Sequence, residues 1–152
     1  MSKKEGEQSM IYKASKLIAE AFDEHGIKYG GQIEEHGDSS AVAAGFRIDN
    51  GPLVMARFFS SNDDNIVEAR VFSIINVKEE KRQQMLQQIN AANRRIRHIK
   101  FALDENGDVN AEYDFPEKLA DEQVGEVAVE IFIRLMKVLN YVYPDFMRAM
   151  WQ

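Results

Sequence analysis

Three stretches of strand character follow one another with very little chain between them, and this limits the fold more than any other feature. Ala41 to Ile48 is small and apolar, with Phe46 and Ile48 alternating around Arg47. Leu53 to Phe59 is the second stretch, and Ile66 to Ile75, dominated by β-branched and aromatic residues, is the third. "DNGP" at 49–52 is a turn whose Asn-Gly pair tolerates the positive φ angles of a tight hairpin, and "SSNDDN" is a longer polar loop. A parallel crossover needs roughly a dozen residues or more, so connections this short predict an antiparallel meander.

Helical spacing brackets the meander. From Ser9, the residues Met10, Ile11, Ala14, Leu17, Ile18, Ala21 and Phe22 recur at steps of three and four, and Gly26 is placed to end the helix in a left-handed conformation. The glycine-rich stretch 27–40 has room for a short strand. After the meander, Met85, Ile89, Ala92 and Ile96 form a second helical stripe with Leu86 and Asn93 beside it. Glu79 and Glu80 sit in its first turn, where the helix dipole favours them. A hairpin follows: Ile99, Phe101 and Leu103 alternate, "DENGD" turns, and Val109, Ala111, Tyr113 and Phe115 alternate back. The last helix is expected from Asp121, a plausible N-cap, to Tyr143. Pro144 should mark its end or a kink and open a short terminal helix. Helix, three strands, helix, two strands, helix reads as an α+β domain, an antiparallel sheet covered by helices.

The last helix carries two apolar stripes. Val124, Val127, Ile131, Leu135, Val138 and Val142 form one; Val129, Phe132, Met136, Leu139 and Tyr143 form the other. That is wider than the face a helix needs against a sheet alone. Packing against the first helix is the favoured account and contact with another chain the second. Phe146, Met147, Met150 and Trp151 remain a candidate contact surface.

With 152 residues the chain can bury roughly 70% of its unfolded surface in one core. Residues 9–152 are expected as a single domain after a short disordered lead-in at 1–8. There is no cysteine, which removes disulfides, thiol catalysis and cysteine–zinc sites. No apolar stretch approaches the length of a membrane span or a signal peptide, so a cytoplasmic protein is expected.

Catalytic and metal motifs do not emerge. His25, His36 and His98 share no ligand spacing. "EEHGD" at 34–38 puts carboxylates beside an imidazole, a pattern that can take a divalent metal but is more often a solvated turn. "DENGD" places Gly107 fourth from Asp104, where a calcium loop needs glycine sixth, so a hairpin turn is the better account. No nucleotide-binding glycine motif and no nucleophile elbow occurs. No cofactor is expected.

One stretch stands apart in charge. Between Lys78 and Lys100 seven Lys and Arg face two acids, a balance of +5 that leaves −11 on the rest of the chain. Arg94, Arg95, Arg97 and Lys100 concentrate it. Arg94 and Arg95 suit a helix C-terminus, and Arg97 and Lys100 can lie on the solvent side of the strand entry. That structural account is the favoured one; contact with an acidic protein comes second, and a nucleic acid or small anion third. An overall pI of about 5.1 and the absence of an accompanying aromatic motif disfavour nucleic acid. Asn90 and Asn93 have a local use, bonding backbone groups where the helix turns into the next strand.

"QQINAANRRIRHIKFALDENGDVNAEYDF", followed by a long helix and "NYVYPDF", resembles the YbjN-like family, described as bacterial sensory-transduction regulators. The features that match are Ile89, Asn90 and Asn93, the "FALDENGDV" hairpin with Gly107, and Tyr143–Pro144, and the likeness runs from about Met10. The resemblance implies a fold similar to that of type III secretion chaperones, in the order α-βββ-α-ββ-α. It implies a non-enzymatic interaction module; chaperones of that fold act as homodimers holding partly unfolded segments of clients. It offers no catalytic residue, and the asparagines and Tyr143–Pro144 carry over as structural positions only.

The expectation is therefore a homodimeric regulator that binds a protein partner. The candidate residues are Arg94, Arg95, Arg97, Lys100, Phe146, Met147, Met150 and Trp151. The alternatives are a regulator that binds nucleic acid or an anionic ligand through residues 94–100, and an enzyme whose site follows no known motif.

Overall fold

The computed structural model describes residues 10–61, 66–116 and 123–152. The expected lead-in, most of the "SSNDDN" loop and the Asp121 cap lie outside them.

Helix α1, Lys13–Glu24, turns Ala14, Ser15, Ile18, Ala19, Ala21 and Phe22 inward. It begins later than its periodicity predicts: Met10 and Ile11 precede it, and Met10 is exposed. Tyr12, the residue before the helix, is extended, and its N–H donates to Ser40 Oγ at 3.1 Å, so a tertiary bond accompanies the helix start. The other end follows the glycine. Gly26 takes φ 71°, its N–H returns to Asp23 O (3.2 Å) and that of Ile27 to Phe22 O (2.8 Å). This is the bonding pattern of a glycine-terminated helix.

Strands β1 (Glu34–Glu35), β2 (Ser40–Arg47), β3 (Leu53–Ser60) and β4 (Ile66–Asn76) come next. A single 3₁₀ turn, Glu79–Lys81, leads into helix α2 (Arg82–Arg95), which precedes β5 (Lys100–Leu103) and β6 (Asp108–Pro116). The chain closes with helix α3, Val124–Trp151. The strands form a six-stranded antiparallel sheet in the order β1-β2-β3-β4-β6-β5. The α+β order read from the sequence stands, with β1 as the short strand its glycine-rich stretch allowed. Burial alternates strictly along β3. On β4 it slips at Phe72–Ser73, where Ser73 takes φ 54° and donates its N–H to Asn110 Oδ1 at 2.7 Å. Such slips turn a side chain to the other face and sharpen the local twist.

Helix α3 corrects the sequence reading. It does not end at Tyr143 and there is no separate terminal helix; Pro144 lies inside a continuous 28-residue helix. Proline removes one helical hydrogen bond, but Pro144 is on the exposed side, where water can serve the carbonyl it frees. Val142, Phe146 and Ala149 are buried on either side of it, and their packing holds the last turns in register.

The chain falls into two compact units. The first comprises residues 1–45, 57–69 and 114–131. In it, Phe22 packs edge-on against Phe58 at 5.6 Å, and Gly125 of α3 lies so close to α1 that a Cβ there would stand 2.5 Å from Leu17 O. Three buried serines, Ser15, Ser40 and Ser60, join hydroxyl to hydroxyl at 2.8 and 2.7 Å. The second unit comprises residues 46–56, 70–113 and 132–152. Here α3 rests Phe132 on Phe46 (5.7 Å) and Phe146 on Phe101 (5.2 Å), both edge to face. Burying side chains of this size is worth about 1.5–3 kcal/mol each.

Candidate partner-binding surface

The basic stretch divides into residues that finish α2 and residues that face outward. Lys100 belongs to the first group. Its Nζ donates to the carbonyls of Asn93 and Ile96, each at 2.9 Å, covering groups that a helix C-terminus leaves open. Asn93 reaches further than the sequence suggested: it pairs with the next strand. Its Oδ1 accepts the Phe101 N–H at 2.8 Å and its Nδ2 donates to Phe101 O at 3.0 Å. The side chain thus does what a neighbouring strand would do at the outer edge of β5. Asn90 is exposed and makes no such bond among the described residues.

The hairpin after β5 is fixed from inside. Gly107, at φ 86°, accepts the Val77 N–H at 2.7 Å. A Cβ there would come within 2.8 Å of Val77 O. Asp104 gathers the N–H groups of Asp108 (3.0 Å) and Asn106 (2.9 Å) and the Asn110 amide (3.2 Å). The Asp108 bond is foremost in holding its carboxyl below the usual aspartate range, helped by Asn110, Asn106 and the charge of Arg82.

Arg95 faces outward and ties α2 to α3. It donates to Asp145 Oδ2 at 3.3 Å, and its guanidinium lies 5.6 Å from the centre of the Tyr141 ring. Arg148 holds the other Asp145 oxygen. Seventy-one residues along the chain from Lys81, Gln152 presents a backbone oxygen to the Lys81 ammonium. The end of α3 therefore runs antiparallel beside α2. Arg94 and Arg97 are exposed, and their guanidinium groups enter no ion pair or hydrogen bond among the described residues.

The aromatic and methionine candidates separate in the same way. Phe146 is 1% exposed and packs on Phe101, so it belongs to the core and is withdrawn from the contact surface. Met147 and Met150 are half-buried, and Trp151 is 79% exposed. Tyr143 is also structural: Gly51 lies against it so closely that a Cβ would stand 2.9 Å from its ring. Sequence reasoning missed Tyr141, which is 63% exposed beneath Arg95. Its place between buried Leu139 and Val142 on the helix was the available signal. What remains on the second unit is a ridge of Arg94, Arg95, Arg97, Tyr141, Arg148 and Trp151. That unit holds twelve Lys and Arg against eight Asp and Glu, a formal +4, while the first holds seven against seventeen, or −10.

The first unit carries the other polar cluster. Glu34 accepts from His36 (2.9 Å) and Arg57 (3.2 Å). Burial raises its carboxyl, but these two partners outweigh that and leave it lowered. No group of three potential metal ligands occurs among the described residues. Beside it, Tyr29 bonds Asp23 at 3.1 Å within a hollow lined by Gly26, Lys28 and Gly30. Burial first, and then Asp23, raises the Tyr29 hydroxyl.

A family model with the description "Putative bacterial sensory transduction regulator" matches residues 14–137. The chain belongs to the YbjN family. The match takes in α1, the whole sheet, α2 and the first half of α3. Tyr141, Tyr143–Pro144 and Trp151 lie beyond it, so the second half of the ridge rests on this chain's own structure. No curated protein matches the chain.

Proposed function

We propose that this YbjN-family protein is a non-enzymatic, cytoplasmic regulator that acts by binding another protein and is itself a homodimer. The observation that carries this reading is the ridge on the second unit. Two arginines there have no ion-pair partner among the described residues, and a tyrosine and a tryptophan of α3 stand largely in solvent on the same unit. Arginine and aromatic side chains are the types that concentrate binding energy at protein interfaces. The family's description as a regulator supports the same reading. So does the chaperone-like fold that the family resemblance implies, which suits a protein that holds a segment of another chain.

The test is capture from the native host with the wild-type protein and an Arg94→Glu/Arg97→Glu variant in parallel. The reading expects a protein that the wild type retains reproducibly and the variant loses. A second reading, binding of nucleic acid or an anionic ligand through residues 94–100, is favoured by the exposure of Arg94 and Arg97. It expects nucleic acid in the wild-type eluate that falls steeply with salt and disappears with the variant. Identical eluates from both baits contradict both readings.

A further inference from the structure

Between Lys81 and Leu103, all within the second unit, the chain holds six Lys and Arg and no Asp or Glu. Of the six, Arg95 alone forms an ion pair with a carboxylate among the described residues, that of Asp145. Lys100 already serves the carbonyls of Asn93 and Ile96 at the end of α2, so Arg94 and Arg97 are not spent on closing the helix. The helix buries Met85, Ile89 and Ala92. Gln83, Leu86, Gln87, Asn90 and Arg94 follow at steps of three, one, three and four, which turns them away from that buried side, and all five are exposed. Leu86 is 51% exposed. The side-chain amides of Gln83, Gln87 and Asn90 enter no hydrogen bond among the described residues.

We infer that the outward face of α2 docks a short acidic helix of the partner protein. This names the partner's chemistry for the function proposed above and rests on it. From Leu86 to Arg94 the helix advances about 12 Å. The segment that fits therefore sets an apolar side chain on Leu86 and carboxylates two turns further on, against Arg94 and Arg97. The amides between them both donate and accept, so they meet carboxylates and neutral polar groups alike. With no acid on the face, a carboxylate is repelled nowhere along it, whereas a basic segment meets like charge at the arginine end. Charge also selects a short segment over a long polyanion. Exposed charges act over about 8–10 Å at physiological ionic strength. A helix lying on α2 feels the face beneath it, while a nucleic acid running past it meets a chain of net charge −6.

The experiment is fluorescence anisotropy on the full chain at low and high salt. The probe is a labelled amphipathic peptide of glutamate and leucine; its controls are the same peptide with lysine for glutamate, and a short DNA duplex. The wild type is compared with Leu86→Gln, Gln87→Lys and Gln87→Glu, all at exposed positions, and circular dichroism verifies that each variant is folded. The acidic peptide should bind the wild type and loosen with salt, and the lysine peptide should not bind. Gln87→Lys should lower the dissociation constant and Gln87→Glu raise it, each about twofold to fivefold, the size of an exposed ion pair. Leu86→Gln should raise it roughly fivefold or more and leave its salt dependence unchanged. An acidic peptide that fails to bind at low salt, a lysine peptide that binds as well, or Gln87 variants that shift affinity the same way overturn the acidic partner. A duplex bound more tightly than the acidic peptide overturns it in favour of the nucleic-acid reading. A host protein that is lost with Arg94→Glu/Arg97→Glu but retained equally by Leu86→Gln and both Gln87 variants overturns this face and leaves the protein-binding function standing.

Discussion

Asn93 shows what one side chain does at the edge of the sheet. Its amide serves both backbone groups of Phe101. Asn93→Ala should cost about 1–3 kcal/mol, the penalty for leaving part-buried backbone groups without partners, read as a lower denaturant midpoint. Ser15→Ala removes the centre of the three-serine cluster and leaves Ser60 without its hydroxyl partner. A loss of similar size is expected, roughly 1–3 kcal/mol. Asp104 gives a pH signature. Its carboxyl is held below the aspartate range in the folded chain. Its contribution is therefore fully present above the unfolded value of about 3.9 and is lost as pH falls through the folded value. The stability advantage of the wild type over Asp104→Asn should accordingly shrink as pH drops below about 4, measured as the difference in denaturant midpoint. A difference that stays constant across that range would show that the loop does not select the charged carboxylate.

Elements were legible where local chemistry decides them and illegible where packing overrides it. The Asn-Gly and Asp-Glu-Asn-Gly turns, the alternation of β3 and the glycine end of α1 were all in the sequence, because turn chemistry and period-two burial are local. The start of α1 was not, because it is accompanied by a bond from Tyr12 to Ser40, 28 residues away. Nor was the continuation of α3 through Pro144, because Phe146 and Ala149 are held by the second unit's core, which no local rule sees. The same contrast makes a prediction. Pro144→Ala should restore the missing helical bond on an exposed face and raise the melting temperature. A lower melting temperature would mean that the proline's fixed geometry is part of how Tyr143 meets Gly51. Of the candidate site, the basic cluster was legible as a run of arginines. Its division into Lys100, which caps a helix, Arg95, which is held by Asp145 and Tyr141, and two outward arginines needed the fold. Phe146 misled because a terminal apolar residue looks the same in sequence whether buried or exposed.

At the scale of the whole molecule, charge is distributed by unit, −10 on one and +4 on the other, within a chain whose family is described as regulatory. Association through the basic unit should therefore weaken with added salt, as exposed charges are screened over about 8–10 Å at physiological ionic strength. The central claim is that the protein works by binding another protein through the exposed arginines that end α2 and the exposed aromatic residues of α3. The most direct measurement is quantitative capture from the native host at low salt, comparing the wild type with Arg94→Glu/Arg97→Glu and with Trp151→Ala. The account predicts one or a few proteins retained by the wild type and depleted with both variants. Retention unchanged in both would contradict it.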